Sequence, residues 1–129
     1  MAQIKIYGLR QHLNPIKAKL SDVIHGCVVE ALEYPQGKRA HRFFLMEPDE
    51  LYYPQSATER YTIIEISLFE GRSVETKKQL IRLLFERICG ALERLPNEVE
   101  VTLTETPRHN WGLRGLPGDE VALSYPVKI

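Results

Sequence analysis

The side chains best equipped for chemistry are cationic, and they gather at turns. Arg72 sits in Phe69-Glu70-Gly71-Arg72-Ser73, just ahead of a helix-like stretch. A guanidinium grips a planar carboxylate through two parallel N–H donors, so a fixed arginine suits the orientation of a small organic acid. The plainer alternative is a solvated arginine at a helix start. Lys38, Arg39 and Arg42 surround His41 at the head of a strand-like run. Lys38 and Arg39 either add positive charge to an anion pocket or decorate a turn and a solvated strand edge. Strand alternation puts Arg39 and His41 on one face and Arg42 on the other. Trp111 lies between Arg108 and Arg114 in a glycine-rich tail. Packing is its expected role and walling a ligand pocket the second, with Arg114 serving either a carboxylate pocket or pairs between subunits. Tyr7 and Tyr125 offer hydroxyls to such a pocket, and the sequence leaves their use open.

Other chemistries find little support. His12 and His25 have no metal partner at helical spacing, and Cys27 and Cys89 fall in helix-like stretches where a thiol behaves as a small hydrophobe. No metal and no cofactor are expected. Lys plus Arg and Asp plus Glu are both 17, a formal net charge of zero. That balance argues against nucleic acid or an anionic membrane as partner, since both attract a basic surplus. No apolar run approaches the roughly 18–20 residues of a membrane span, and the start carries no apolar signal-like segment. A soluble, cytoplasmic protein is expected. With 129 residues, 43% of them hydrophobic and 26% charged, the chain is long enough to bury a core of its own.

The elements that must position these residues come in two matching sets. Ile4 and Ile6 correspond to Ile64 and Ile66 at an offset of sixty residues, and Leu20, Ala31, Leu32 and Glu33 correspond to Leu80, Ala91, Leu92 and Glu93. Gln3 to Tyr7 alternates as a half-buried strand. Asn14-Pro15 predicts an N-cap and first helical residue, opening a helix to about Glu33 with an apolar stripe of Ile16, Leu20, Val23, Ile24, Cys27, Val28 and Leu32. Tyr34-Pro35-Gln36-Gly37 stops it, and a strand follows near residues 40–46. In the second set a β-branched strand spans residues 61–68 and Ser73 caps a helix carrying Leu80, Leu83, Leu84 and Ile88. Pro96-Asn97 breaks that helix, and Val99 to Leu103 form the last strand. The predicted fold is α/β: tandem β-α-β units, internal repeats 1–46 and 61–106, joined in a four-stranded mixed sheet with two helices on one face. A tail over 107–129 completes a single domain spanning 1–129. Two helices cover only one face. If Ile4, Ile6, Ile64 and Ile66 lie on the other, they form an apolar patch that calls for self-association.

The duplicated strand–helix–strand plan, the strand right after Met1, the Gly71-Arg72-Ser73 turn and the Asn110-Trp111-Gly112 tail together resemble the tautomerase superfamily. The likeness is to its long duplicated members of the 4-oxalocrotonate tautomerase and malonate semialdehyde decarboxylase kind. The resemblance implies a homotrimer with an active site at the amino end of each first strand. It also implies a cofactor-free isomerase handling small keto or enol carboxylates by keto–enol tautomerisation, with decarboxylase or hydratase side activity. The family's base is an amino-terminal proline exposed by loss of methionine; Ala2 stands there in this chain. A freed Ala2 amine has a reference pKa of about 7.7–8.0, lowered by burial and neighbouring arginines, whereas a retained Met1 moves the amine one residue out of place. The water-activating aspartate of the decarboxylase-like members falls on Lys38, and of two arginines ahead of the second helix Arg72 matches while the other falls on Glu70. The resemblance therefore implies Ala2 and Arg72 as catalytic residues, with Arg39, Lys38, Trp111 and Arg114 around the substrate. Two outcomes follow: weak or altered turnover, or a catalytically silent trimer that binds a small carboxylate.

Overall fold

The computed structural model describes residues 2–129. Strand β1 (Ala2–Leu9) leads through a short turn α1 (Arg10–Leu13) and a 3-10 turn (Asn14–Ile16) into α2 (Lys17–Leu32), then β2 (His41–Met46). The second unit repeats the plan with β3 (Thr62–Phe69), α3 (Val74–Leu92) and β4 (Val99–Thr106). A small hairpin of β5 (Gly112–Leu113) and β6 (Leu116–Pro117) begins the tail. The sheet order is β2-β1-β3-β4; β1/β2 and β3/β4 are parallel, and the central β1/β3 pair is antiparallel. The sheet is therefore mixed, as the duplicated pattern predicts. Because each helix joins two parallel strands and the units meet antiparallel, α2 and α3 run antiparallel over one face.

Register decides what that face contains. Ile4 sits opposite Ile66 and Ile6 opposite Ile64. All four are 0–1% exposed, packed with Leu20, Ile24, Val28, Leu80, Leu84 and Ile88 of the helices. The premise of an apolar open face is therefore corrected. The isoleucines lie beneath the helices, and the open face carries Gln3, Lys5 and Tyr7 of β1 against Ser67, Glu65 and Ile63 of β3. Alternation along a strand defines two faces but not which one the helices cover.

The start of the first helix also differs from expectation. The chain turns helical at Arg10, so Asn14 already has helical dihedrals (φ −56°, ψ −42°) and its side chain caps nothing. Pro15, lacking an N–H, tightens this point into a 3-10 turn before α2 begins. The Ser73 cap is as expected: its Oγ accepts from the Thr76 N–H at 3.2 Å, with Glu75 in the first turn of α3. Both long helices end on a glutamate in the left-handed region, Glu33 (φ 51°) and Glu93 (φ 53°), sixty residues apart.

Candidate functional site

The left-handed Glu33 turns the chain back beneath α2, and the next residue gains from it. Tyr34, buried, lands at the amino end of β1, where the Ala2 N–H donates to its hydroxyl oxygen at 3.1 Å. Tyr125, brought in by the tail, packs edge-on against Tyr34 with ring centroids 4.7 Å apart. The Lys38 ammonium lies over the Tyr125 ring, 5.3 Å from its centroid. Arg72 enters from the turn after β3. There Gly71 takes φ +137° and leaves room for Val127, whose Cγ1 stands 2.7 Å from where a Cβ would be. The end of the tail is tied down when Ser73 Oγ and Thr76 Oγ1 donate to the Ile129 carbonyl at 3.1 and 2.6 Å. Ala2, Tyr34, Lys38, Arg72 and Tyr125 thus meet at one end of the sheet.

The electrostatics of this cluster are unbalanced. Arg72 is 4% exposed, and only one long bond, Nη1 to the Phe69 carbonyl at 3.4 Å, uses its donors. Its Nε and Nη2 have no partner among the described residues, and neither has the Lys38 Nζ. Burial pulls the Arg72 proton affinity down, opposed by Tyr125, Tyr34 and Glu105; burial, with Arg114 nearby, lowers that of Lys38. The acid nearest to hand, Glu105, is already paired with Lys77 at 2.6 Å. Buried donors left open in this way each cost about 1–3 kcal/mol, a cost that persists where a ligand uses them. Both arginine nitrogens are sealed from solvent, so a carboxylate reaches them only when a neighbouring side chain moves aside. Tyr125 also lines an open cleft of about 570 Å³ with Glu70, Arg108, Asp119 and Lys128.

The equivalent end of the second unit shows the contrast. There Glu98, buried, accepts from the Leu95 N–H at 2.7 Å and from the Thr58 hydroxyl, with Arg60 at 4.0 Å and Arg94 nearby. These bonds and charges outweigh burial and hold its carboxyl below the usual range. Cations are answered there by a carboxylate. At the Ala2 end they are not.

The remaining sequence candidates are spread around this cluster. Arg114, at φ 54°, is exposed and donates to the Ala122 carbonyl at 3.3 Å, close enough to Lys38 to be felt electrostatically. Trp111 packs edge-on against Phe69 at 5.0 Å and lines a hollow on the open sheet face with Gln3 and Ser67. Arg108 spends its donors on the Gly118 and Val121 carbonyls. Arg39 lies before the strand and reaches α2, with Nη1 2.6 Å from Asp22 and 3.3 Å from Ser21 Oγ. His41 turns toward the same helix, its Nδ1 2.8 Å from Ser21 Oγ. Among the described residues no cluster of three or more His, Cys, Asp or Glu side chains is arranged to hold a metal. Tyr34 is the member that sequence reading missed, because Tyr34-Pro35 carries only a helix-stop signal. No helix of the described residues is long and apolar enough to cross a membrane.

Burial, with Arg39 and His25 nearby, lowers the His41 pKa to about 4. An unfolded histidine titrates near 6.5, so between those values the unfolded chain takes up a proton the folded chain refuses. The stability contribution is present above 6.5 and is lost as pH falls toward 4. Urea midpoints measured from pH 7 to 4.5 are expected to fall less steeply for His41→Gln than for the parent. Parallel curves would show that His41 does not titrate in this window.

Two β-α-β units on one mixed sheet, with two helices over one face, define a small duplicated α/β class. The chain belongs to the tautomerase family: the family model described as "Tautomerase enzyme" matches residues 38–114. The 2-hydroxymuconate tautomerase of Pseudomonas sp. (strain CF600) is 34% identical over 59 residues, 46% of this chain and 94% of that enzyme. The enzyme of the same name from Stutzerimonas stutzeri is 40% identical over 53 residues, 41% of this chain and 84% of that one. Such relatives are about the length of one β-α-β unit, which fits the long duplicated form. Among solved structures, malonate semialdehyde decarboxylase superposes with TM-score 0.80 at 21% identity, over 92% of this chain and 99% of that one. Native fused 4-OT gives 0.80 at 19% identity, over 91% and 96%. At these identities the likeness establishes the fold.

Proposed function

We propose that the protein is a tautomerase acting on small keto or enol carboxylates, with Arg72 as carboxylate anchor and the residue 2 amine as base. The observation that carries this reading is the buried Arg72 guanidinium, with two open donors, near the Tyr34 whose hydroxyl accepts from Ala2. Lys38 adds charge at the same place, and Arg114 lies within electrostatic reach of it. Arg39, engaged with Asp22, serves the substrate only if that ion pair opens. Turnover by an alanine amine is expected to be weak, because a primary amine lacks the ring that fixes a proline nitrogen. A second reading, a silent carboxylate-binding protein, is favoured by the same Ala2 and by Lys38 and Glu70 at positions where the resemblance implies an acid and an arginine.

The test combines mass spectrometry of the amino terminus with ketonisation of phenylenolpyruvate, followed by loss of its ultraviolet absorbance. Protein freed of Met1 is expected to exceed the buffer rate saturably, with inhibition by a small carboxylate. Met1-free protein with no such rate, yet binding the carboxylate, moves the silent reading to first place.

A homotrimer belongs to the same proposal. Its support is now the family and the fused 4-OT neighbours, described as asymmetric and symmetric trimers, together with the uncovered sheet face. Sedimentation equilibrium at micromolar concentration is expected to give about three times 14.9 kDa; a monomer mass rejects the trimer.

A further inference from the structure

We infer that Tyr125 is a catalytic residue of this site: its hydroxyl donates to the enolate oxygen that develops next to the carboxylate held by Arg72. The inference rests on the keto–enol reading above. Tyr125 is 7% exposed, and its hydroxyl makes no hydrogen bond of ordinary geometry with any described residue; its polar neighbour is the Tyr34 hydroxyl, toward which it donates loosely. A buried phenol held by so loose a partner contributes little to the fold and can turn its O–H to a ligand. Its surroundings are the parts a 2-oxo or 2-hydroxy acid needs. Arg72 is within electrostatic reach, the Lys38 ammonium lies over its ring at 5.3 Å, and Tyr34 connects it to the Ala2 nitrogen at 3.1 Å. The residue also lines the 570 Å³ cleft, which gives it a side open to solvent.

Burial and the neighbouring Tyr34 hydroxyl raise the Tyr125 proton affinity, so at neutral pH it is a neutral donor rather than a base. In ketonisation the enol O–H proton passes to the base and the oxygen becomes an enolate. Carbon 3 then takes a proton as the C2–O bond becomes a carbonyl. Tyr125 keeps its own proton throughout and stabilises the charge on oxygen by a fixed hydrogen bond, the kind of donor whose removal costs about 10²–10³ in kcat.

The test uses Tyr125→Phe in the full chain, beside the parent and Arg72→Ala. Ketonisation is expected to fall about 100-fold in kcat with KM changed less than about three-fold, since the carboxylate anchor remains. Calorimetry with oxalate, which pairs a carboxylate with a vicinal oxyanion, is expected to show about ten-fold weaker binding to Tyr125→Phe, with acetate binding unchanged. The melting temperature is expected to stay close to that of the parent, because only a loose contact with the Tyr34 hydroxyl is removed. A drop in melting temperature with oxalate binding intact makes the hydroxyl structural and overturns the inference. If the parent binds both acids and Arg72→Ala loses both while Tyr125→Phe loses neither, the inference fails alone. A parent that binds neither acid and turns nothing over overturns this inference and the proposed function together.

Discussion

Arg72→Ala is expected to lose small-carboxylate binding by roughly 30–150-fold, about 2–3 kcal/mol, while the stability of the fold changes by less than about 1–2 kcal/mol. The first half follows from geometry. Two open guanidinium donors in a dry site contribute more than the same group in water, because no solvent competes for the anion. The second half follows from burial. Arg72 is not a surface residue: it is 4% exposed, its charge has no carboxylate partner of its own among the described residues, and Glu105 is engaged by Lys77. Truncating a buried group whose donors are unmet removes a desolvation cost together with its packing, so calorimetric stability should change by less than about 1–2 kcal/mol and in either direction. Loss of binding with retained stability is the signature of a group kept for a ligand. Arg72→Lys should recover little, since a point charge cannot replace a planar fork. Unchanged acetate affinity in Arg72→Ala rejects the anchor role, and a collapse of stability assigns the guanidinium to the fold.

The outline of the fold was legible because its signals are local and repeated. Period-2 strands, period-3.6 stripes, the Ser73 cap and a sixty-residue echo fix element type, order and the pairing of two units. The side of the sheet facing the helices was not legible. Ile4, Ile6, Ile64 and Ile66 obey alternation wherever the helices lie, and register places them inside. The Asn14-Pro15 cap does not form for a related reason: its dipeptide signal assumes an extended approach, whereas Arg10 to Leu13 already turn. The site was half legible. Arg72 and Lys38 could be picked out by charge at turns. Tyr34 and Tyr125 come together from positions 91 residues apart through a left-handed helix end and a tail held on α3, and no spacing rule encodes that meeting. Arg39 shows the reverse: a cation next in sequence to Lys38 whose guanidinium swings to Asp22 on the opposite side of the turn.

Ala2→Pro, with Met1 removed, is expected to raise ketonisation of phenylenolpyruvate by about ten-fold or more, a part of the roughly 10²–10⁴ that a positioned proton-transfer group supplies in full. The argument is one of direction. A free Ala2 amine has two N–H bonds and one lone pair, hence three staggered orientations. Tyr34 oxygen, 3.1 Å away, holds one N–H and leaves the lone pair two choices. A proline ring occupies one of the three positions, so its remaining N–H goes to Tyr34 and its lone pair has a single direction. Orientation fixed before reaction is the positional part of catalysis. Because Ala2 is 4% exposed, the ring must also fit, and an unchanged melting temperature checks that it does. Where Met1 is retained, proline instead deletes the N–H that Tyr34 accepts, and both stability and activity should fall. Mass spectrometry separates the two cases. If Ala2→Pro is trimeric, free of Met1, as stable as the parent and still no faster than buffer, the base is not what this site lacks. Lys38 and Glu70, which make the pocket's charge pattern depart from the family's, then become the cause, and carboxylate binding without turnover becomes the function to pursue.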